Sequence, residues 1–150
     1  MNEISIRVVG IPAAQGSKTL TRYGAMIESS KKVKPWRTDV KEASLNCYTS
    51  GALNMPVKVD IEFVFPRPKS HFGTGKNKEV LKASSPQYCT SRGNGDIDKL
   101  CRSTLDGLSV SAGGSVLEDD CLAVELCARK RYVKKDELPG AYIAISSVNL

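Results

Sequence analysis

The sequence predicts a small α/β or α+β domain in which a mixed β-sheet of about four strands packs against two main helices. Its 150 residues are the length of one domain with one core, so we expect a single domain over 1–150. Residues 56–65 alternate apolar and polar side chains, as a strand with one buried face does. Residues 97–108 carry apolar side chains at helical spacing. Strands and helices that alternate in a short chain are typical of this fold class.

A strand and a hairpin arm are predicted near the N-terminus. Residues 3–9 alternate and are rich in β-branched side chains, which favour extended backbone. A loop of small residues follows, and two short strand-like runs, 18–23 and 25–29, then flank Gly24. Two such runs around a glycine predict a hairpin.

The first helix is predicted over residues 36–50. Pro35 suits the start of a helix, because the N–H that proline lacks would have no partner in the first turn. Gly51 ends the pattern. The apolar side chains expected on its buried face are Trp36, Val40, Ala43, Leu45 and Cys47.

The segment 56–65 is the clearest strand, and a long basic loop follows it. The strand places Val57, Val59, Ile61 and Phe63 on one face and charged side chains on the other. Residues 66–95 show no sustained apolar period and contain six basic residues against one acidic residue, Glu79. A loop of this length in a compact domain is usually functional or disordered. This basic loop is predicted to lie along a phosphate backbone. The alternative is that it is a mobile insert with no function.

A second helix and two further strands complete the predicted fold. The helix covers 97–108, and its apolar stripe is Ile97, Leu100, Cys101, Thr104, Leu105 and Leu108. A Gly/Ser loop over 109–115 follows. The strands are predicted at 121–133 and 141–148, antiparallel to each other and joined by a polar turn around Pro139.

Charge and cysteine content limit the class of protein. The net charge of +6 favours nucleic acid or another anionic partner. No run of apolar residues is long enough for a membrane span, and the N-terminal residues lack a signal-peptide pattern. Five cysteines without C-x-x-C spacing indicate reduced thiols in the cytoplasm. Cys101, Cys121 and Cys127 are expected to be buried, and a zinc site is not expected.

Two acidic clusters stand out in this basic chain. Asp96 and Asp98 open the second helix, and Glu118, Asp119 and Asp120 open the strand after it. Carboxylates at a helix start are stabilised by free N–H groups, so simple capping is one interpretation. The other is that the returning strand brings Asp120 to the helix N-terminus. Three converging carboxylates require a cation, and Mg²⁺ or Mn²⁺ suits all-oxygen ligands. Together with the basic surface, this indicates hydrolysis of nucleic acid.

Asp98, Arg102 and Asp106 follow one another at four-residue spacing on the helix. The first interpretation is an ordinary ladder of surface ion pairs. The second places Arg102 opposite a scissile phosphate. The four-residue spacing is consistent with both interpretations.

These motifs resemble those of the RusA family of Holliday junction resolvases. The similarity rests on Asp96-x-Asp98-Lys99-Leu100-x-Arg102-x-x-x-Asp106-x-Leu108, followed by Asp119-Asp120. Two flanking segments are also similar to members from phages and prophages. They are Gly10-Ile11-Pro12 with Gln15-Gly16-Ser17-Lys18, and Arg67-Pro68-Lys69-Ser70-His71.

The resemblance implies a RusA-like homodimeric endonuclease that uses Mg²⁺ or Mn²⁺ to cut four-way DNA junctions in recombination and repair. It would act in the cytoplasm of a bacterium or a phage-infected cell. The family's catalytic, metal-binding aspartates correspond to Asp96, Asp98 and Asp120, with Asp119 as a neighbouring ligand. Its basic helix residue corresponds to Arg102. Because arginine does not readily lose its proton, Arg102 is expected to act as an electrostatic clamp.

Phosphate contacts are predicted from eight basic residues outside the second helix. These are Lys18, Arg22, Lys31, Lys32, Arg37, Arg67, Lys69 and Lys76. Two other functions stay open. One is a non-catalytic DNA-binding module whose acidic residues only cap and pair. The other is a metal-dependent nuclease that acts on flaps, other branched DNA or RNA.

Overall fold

The computed structural model describes residues 1–16, 18–20, 22, 26–28 and 31–148, with the backbone alone for 18–20 and 26–28. The regular elements in this part of the chain are β1 (Ile4–Val9), β2 (Lys18–Leu20), β3 (Met26–Glu28), α1 (Val33–Cys47), β4 (Val57–Phe65), α2 (Ile97–Leu108), β5 (Ala123–Tyr132) and β6 (Gly140–Ser147). Within the described residues, no helix has the length and apolar character needed to cross a membrane.

Four of the strands form one mixed sheet in the order β1-β6-β4-β5. β4 pairs antiparallel with β6 and parallel with β5. A mixed four-stranded sheet with two main helices confirms the predicted α+β class. β5 and β6 run in opposite directions, as predicted, but β4 lies between them. Residues 133–139 make the connection, and this is longer than the usual hairpin loop, so it can cross the end of an intervening strand.

The core lies between the sheet and the two helices. The predicted inner face of β4 is confirmed, since none of its four side chains is exposed: Val57, Val59, Ile61 and Phe63. From α1, Trp36 is fully buried, and its Nε1–H donates to Thr104 Oγ1 of α2 at 3.1 Å. The helices therefore contact each other as well as the sheet.

Helix α1 differs from its prediction in its bounds and in which of its side chains are buried. It spans Val33–Cys47 rather than 36–50, with Pro35 in its first turn. Leu45 is 56% exposed and Cys47 is exposed, whereas Val33 and Ser44 are buried. Positions 33, 36, 40 and 44 share one stripe of a helix with 3.6 residues per turn, and position 45 lies outside that stripe. Position 47 falls on the stripe, but Cys47 is the last residue of the helix. The prediction that Leu45 and Cys47 face the core is wrong.

Helix α2 has the predicted bounds and approaches α1 closely. A Cβ at Gly107 would lie 2.8 Å from the side chain of Val40, so the contact requires glycine. Most of the predicted stripe is buried, although Ile97 is 38% exposed at the first turn. Cys101 is buried as predicted, but Cys121 and Cys127 are exposed. These two lie just before and within β5, an edge strand of the sheet, which leaves them open to solvent.

The loop 66–95 is irregular, as predicted, but it has internal structure. Short 3₁₀ turns occupy Lys69–His71, Gly75–Asn77 and Arg92–Asn94. Backbone hydrogen bonds join Gly73 N–H to Val80 O and Lys82 N–H to His71 O. Of the predicted hairpin arm, the structure describes β2 and β3, which pair antiparallel. The turn around Gly24 lies outside the described residues.

Candidate functional site

The start of α2 holds the first acidic pair. Asp96 is the N-cap residue, with extended backbone, but its carboxylate makes no capping hydrogen bond. Its side chain is 71% exposed, and its Oδ2 lies 3.3 Å from Lys99 Nζ. Asp98 is in the first turn and is also exposed. Both carboxylates are therefore accessible from solvent, and the capping interpretation is not met at Asp96.

The second acidic cluster lies in a short turn before β5. Asp119 caps this turn, and its carboxylate accepts a hydrogen bond from Cys121 N–H at 2.9 Å. That bond is the main cause of the lowered pKa of Asp119. Burial raises the pKa of Asp120, and the neighbouring carboxylates of Asp119 and Asp106 raise it further. Asp120 therefore lies in the negative field of a residue near the end of α2.

Asp106 is held by side chains from two other segments. Gln15 Nε2 donates to its Oδ2 at 2.7 Å. Arg37 Nη1, from α1, lies 3.7 Å from the same oxygen and donates to Gln15 Oε1 at 3.2 Å. Gln15, Arg37 and Asp106 form a closed network, called the Gln15 network below.

The structure places the two acidic clusters at opposite ends of α2. The twelve residues of this helix span roughly 18 Å. Lys130, late in β5, donates to Gly95 O at 2.8 Å, so the start of α2 lies beside the far end of β5. Asp120, just before β5, consequently lies near Asp106 rather than at the helix N-terminus, where the returning strand was expected to bring it. In the described part of the chain, no three His, Cys, Asp or Glu side chains are placed to hold one metal ion.

Arg102 is exposed on α2. Asp106 binds Gln15 and Arg37, and Asp96 binds Lys99. Within the described residues, Arg102 forms no ion pair with Asp98 or Asp106. The ladder interpretation is therefore not met, and Arg102 is exposed on the same helix as the exposed aspartates.

The predicted phosphate-binding residues fall into two groups. The first group has exposed side chains and comprises Arg22, Lys31, Lys32, Lys69 and Lys76. The Lys18 side chain lies outside the described residues.

Two predicted phosphate-binding arginines are instead engaged within the fold. Arg37 belongs to the Gln15 network. Arg67 donates to Pro86 O at 2.8 Å, and its guanidinium lies 4.4 Å from the centre of the Tyr132 ring.

Sequence reasoning missed Gln15 as a contact of the acidic helix. The Gln15-Gly16 motif is its only local signal, because the partners Arg37 and Asp106 are distant in sequence.

A mixed sheet that carries an acidic helix, with exposed basic residues elsewhere on its surface, is suited to chemistry on a polyanion. The model of one family, described as Endodeoxyribonuclease RusA, matches residues 10–146. The chain therefore belongs to the RusA family, which makes it an endodeoxyribonuclease of the Holliday junction-resolving type. A search of curated proteins finds no match.

Proposed function

We propose that this protein is a divalent-metal-dependent, structure-selective endonuclease that cuts four-way DNA junctions as a homodimer. Family membership supports the reaction class and the DNA substrate. The observation that carries the finer proposal is the start of α2, where two aspartates are exposed on the helix that also exposes Arg102. The other described α-helix, α1, has no acidic residue in its first turn.

The donor chemistry at α2 fits a hard cation. Carboxylate oxygens are the ligands that Mg²⁺ and Mn²⁺ prefer, and Asp96 does not use its carboxylate to cap the helix. Asp96 and Asp98 are proposed to hold the ion at the start of α2. Asp120 and Asp119, which lie at the other end of the helix in the same chain, are proposed to complete the site from a second copy. When bound, such an ion supplies an activated water and neutralises charge on the leaving oxygen of a phosphodiester.

The chain's own residues bind and orient the DNA in this proposal. The guanidinium of Arg102 stays protonated and donates to phosphate oxygens, where it stabilises the additional negative charge of the transition state. Exposed lysines such as Lys69 and Lys76 bind phosphates of the DNA backbone that are distant from the cleaved bond. These contacts supply affinity without sequence preference, since phosphates carry no sequence information.

A homodimer suits the symmetry of the substrate. Each copy can present one site to one of the two paired strands of a junction. A second copy is also a source of further carboxylates, since one chain does not gather three of them among its described residues. The place of action is the cytoplasm, and the five cysteines, all free, suit a reducing compartment.

A panel of labelled substrates tests this function. The wild-type protein is incubated with junction, flap, duplex and single-stranded DNA and with RNA, in Mg²⁺, in Mn²⁺ and in EDTA. We expect paired cuts in the junction alone and no cuts in EDTA. Faster cleavage of flaps or RNA would favour the alternative nuclease, and metal-independent cleavage would contradict the cofactor.

The separation of the two acidic clusters favours a second candidate, a DNA-binding module without catalysis. Calorimetry with Mn²⁺ distinguishes it from the enzyme. Saturable binding that is lost in Asp96→Asn supports the nuclease. Junction binding without any heat from Mn²⁺ supports the module.

A further inference from the structure

The Gln15 network joins three separate segments of the chain. Gln15 follows β1, Arg37 lies on α1 and Asp106 lies on α2. Gln15 is only 8% exposed, and both ends of its amide are used. Nε2 donates to Asp106 at 2.7 Å, and Oε1 accepts from Arg37 at 3.2 Å. Because the Gln15 side chain is buried, water does not easily reach its amide, although Arg37 and Asp106 are themselves 29% and 21% exposed.

Glutamine is chemically suited to this position. Its amide offers a donor to the carboxylate and an acceptor to the guanidinium at the same time. The reverse orientation would set oxygen against carboxylate and N–H against N–H, so the partners select one orientation. A glutamate here would face Asp106 with a second negative charge.

The segment around Gln15 also lies directly on α2. Gln15 N–H donates to Lys99 O at 3.0 Å, and Ser103 Oγ–H donates to Ala13 O at 2.6 Å. At the next residue, a Cβ on Gly16 would lie 3.3 Å from Arg102 Nη1 and 3.2 Å from carbons of the Lys99 side chain. The backbone at Gly16 therefore forms one wall of the space that the Arg102 guanidinium occupies.

Resting on the proposed nuclease function, we propose that Gln15 is a positioning residue that acts through Arg102. By binding Arg37 and Asp106, Gln15 holds residues 13–16 on α2 and limits the directions in which Arg102 reaches a phosphate. A displacement of about 1 Å at a reacting centre can lower a rate about a hundredfold. Gln15 itself touches neither the DNA nor the metal in this proposal.

Gln15→Met tests the proposal, since methionine keeps the length of the side chain and removes both hydrogen bonds. We expect kcat on saturating junction to fall at least about tenfold. The junction Kd in EDTA is expected to stay within about twofold, because few phosphate contacts change. An unchanged kcat in Gln15→Met would overturn the proposal.

The same substitution in an Arg102→Met background separates positioning from simple stabilisation. A residue that acts through Arg102 loses its effect when Arg102 is absent, so Gln15→Met should then change kcat less than about twofold. Equal losses in both backgrounds would show a structural role only and would overturn the proposal. The single tryptophan, Trp36, reports by its fluorescence whether α1 still packs on α2.

A further measurement does not depend on cleavage. The amide hydrogen of Gln15, which is bonded to Lys99 O, should exchange at least about tenfold faster in Gln15→Met as the segment opens. Asp136→Asn, an exposed substitution outside the network, should leave this exchange unchanged. Unchanged exchange in Gln15→Met would contradict the holding role. Failure of the wild-type protein to cut any substrate would instead contradict the proposed function.

Discussion

Glu137 accepts two hydrogen bonds from the guanidinium of Arg131, at 2.6 and 2.8 Å, next to the crossing from β5 to β6. It also accepts from Lys134 N–H at 2.9 Å and from Tyr142 O–H at 2.8 Å. Four bonds to one carboxylate hold the connection in place at the end of β4. They lower the pKa of Glu137, and the Arg131 bonds are the largest cause.

Acid should weaken this part of the fold. Because the folded pKa of Glu137 lies below its ordinary value of 4.5, its stabilisation is complete above that value and is lost as pH falls toward the folded pKa. Glu137→Gln should lower the free energy of unfolding by about 1–3 kcal/mol at pH 7. Its unfolding free energy should also depend less on pH below 4.5 than that of the wild-type protein.

Urea unfolding at pH 7, 4 and 3 measures this effect. Glu125→Gln is the matched control, because Glu125 is an exposed glutamate on β5. An equal loss of stability on acidification in wild type and Glu137→Gln would contradict the assignment.

Asp96→Asn should keep junction binding and abolish cleavage. The amide preserves the shape of the side chain but provides a poorer ligand for a hard cation. We expect a loss in kcat on the order of a hundredfold or more, with the Kd in EDTA nearly unchanged. Asp136→Asn removes the same charge elsewhere on the surface and should cut at the wild-type rate. Wild-type cleavage by Asp96→Asn would exclude Asp96 from the site.

Arg102 should tolerate lysine better than methionine. Arg102→Met removes the charge and all donors, and the expected loss in kcat is about a hundredfold. Arg102→Lys keeps the charge without the planar pair of donors, so it should retain intermediate activity. Single-turnover cleavage of junction DNA checks the order of the three rates. Equal rates for the two variants would show that charge at this position does not assist the reaction.

Junction affinity should depend steeply on salt, and Lys69 and Lys76 should carry part of that dependence. Replacing both with glutamine should reduce the slope of log K against log salt by about 2, one for each phosphate contact. Fluorescence anisotropy between 50 and 300 mM NaCl measures the slope. Lys58→Gln with Lys135→Gln is the matched control, because both lysines are exposed and neither is a predicted contact. An equal change in the control would show a general charge effect.

Much of the fold is predictable because the relevant signals are local. The alternation in 56–65 and the helical stripe in 97–108 reflect which side chains meet the core, and both elements form as predicted. The predicted buried face of α1 is wrong at Leu45 and Cys47, because these are apolar residues that face solvent. The position of Asp96 at a helix start is equally local and was predicted correctly.

The sequence by itself determined the α+β class, the acidic start of α2 and the family to which the chain belongs. Only the tertiary structure decided that β4 separates β5 from β6, that Asp120 lies near Asp106, and that Gln15 connects Arg37 to Asp106. Hydrophobic periodicity records the burial of each residue along its own element. It carries no record of which distant segment lies beside that element, because pairing depends on the packing of the whole chain.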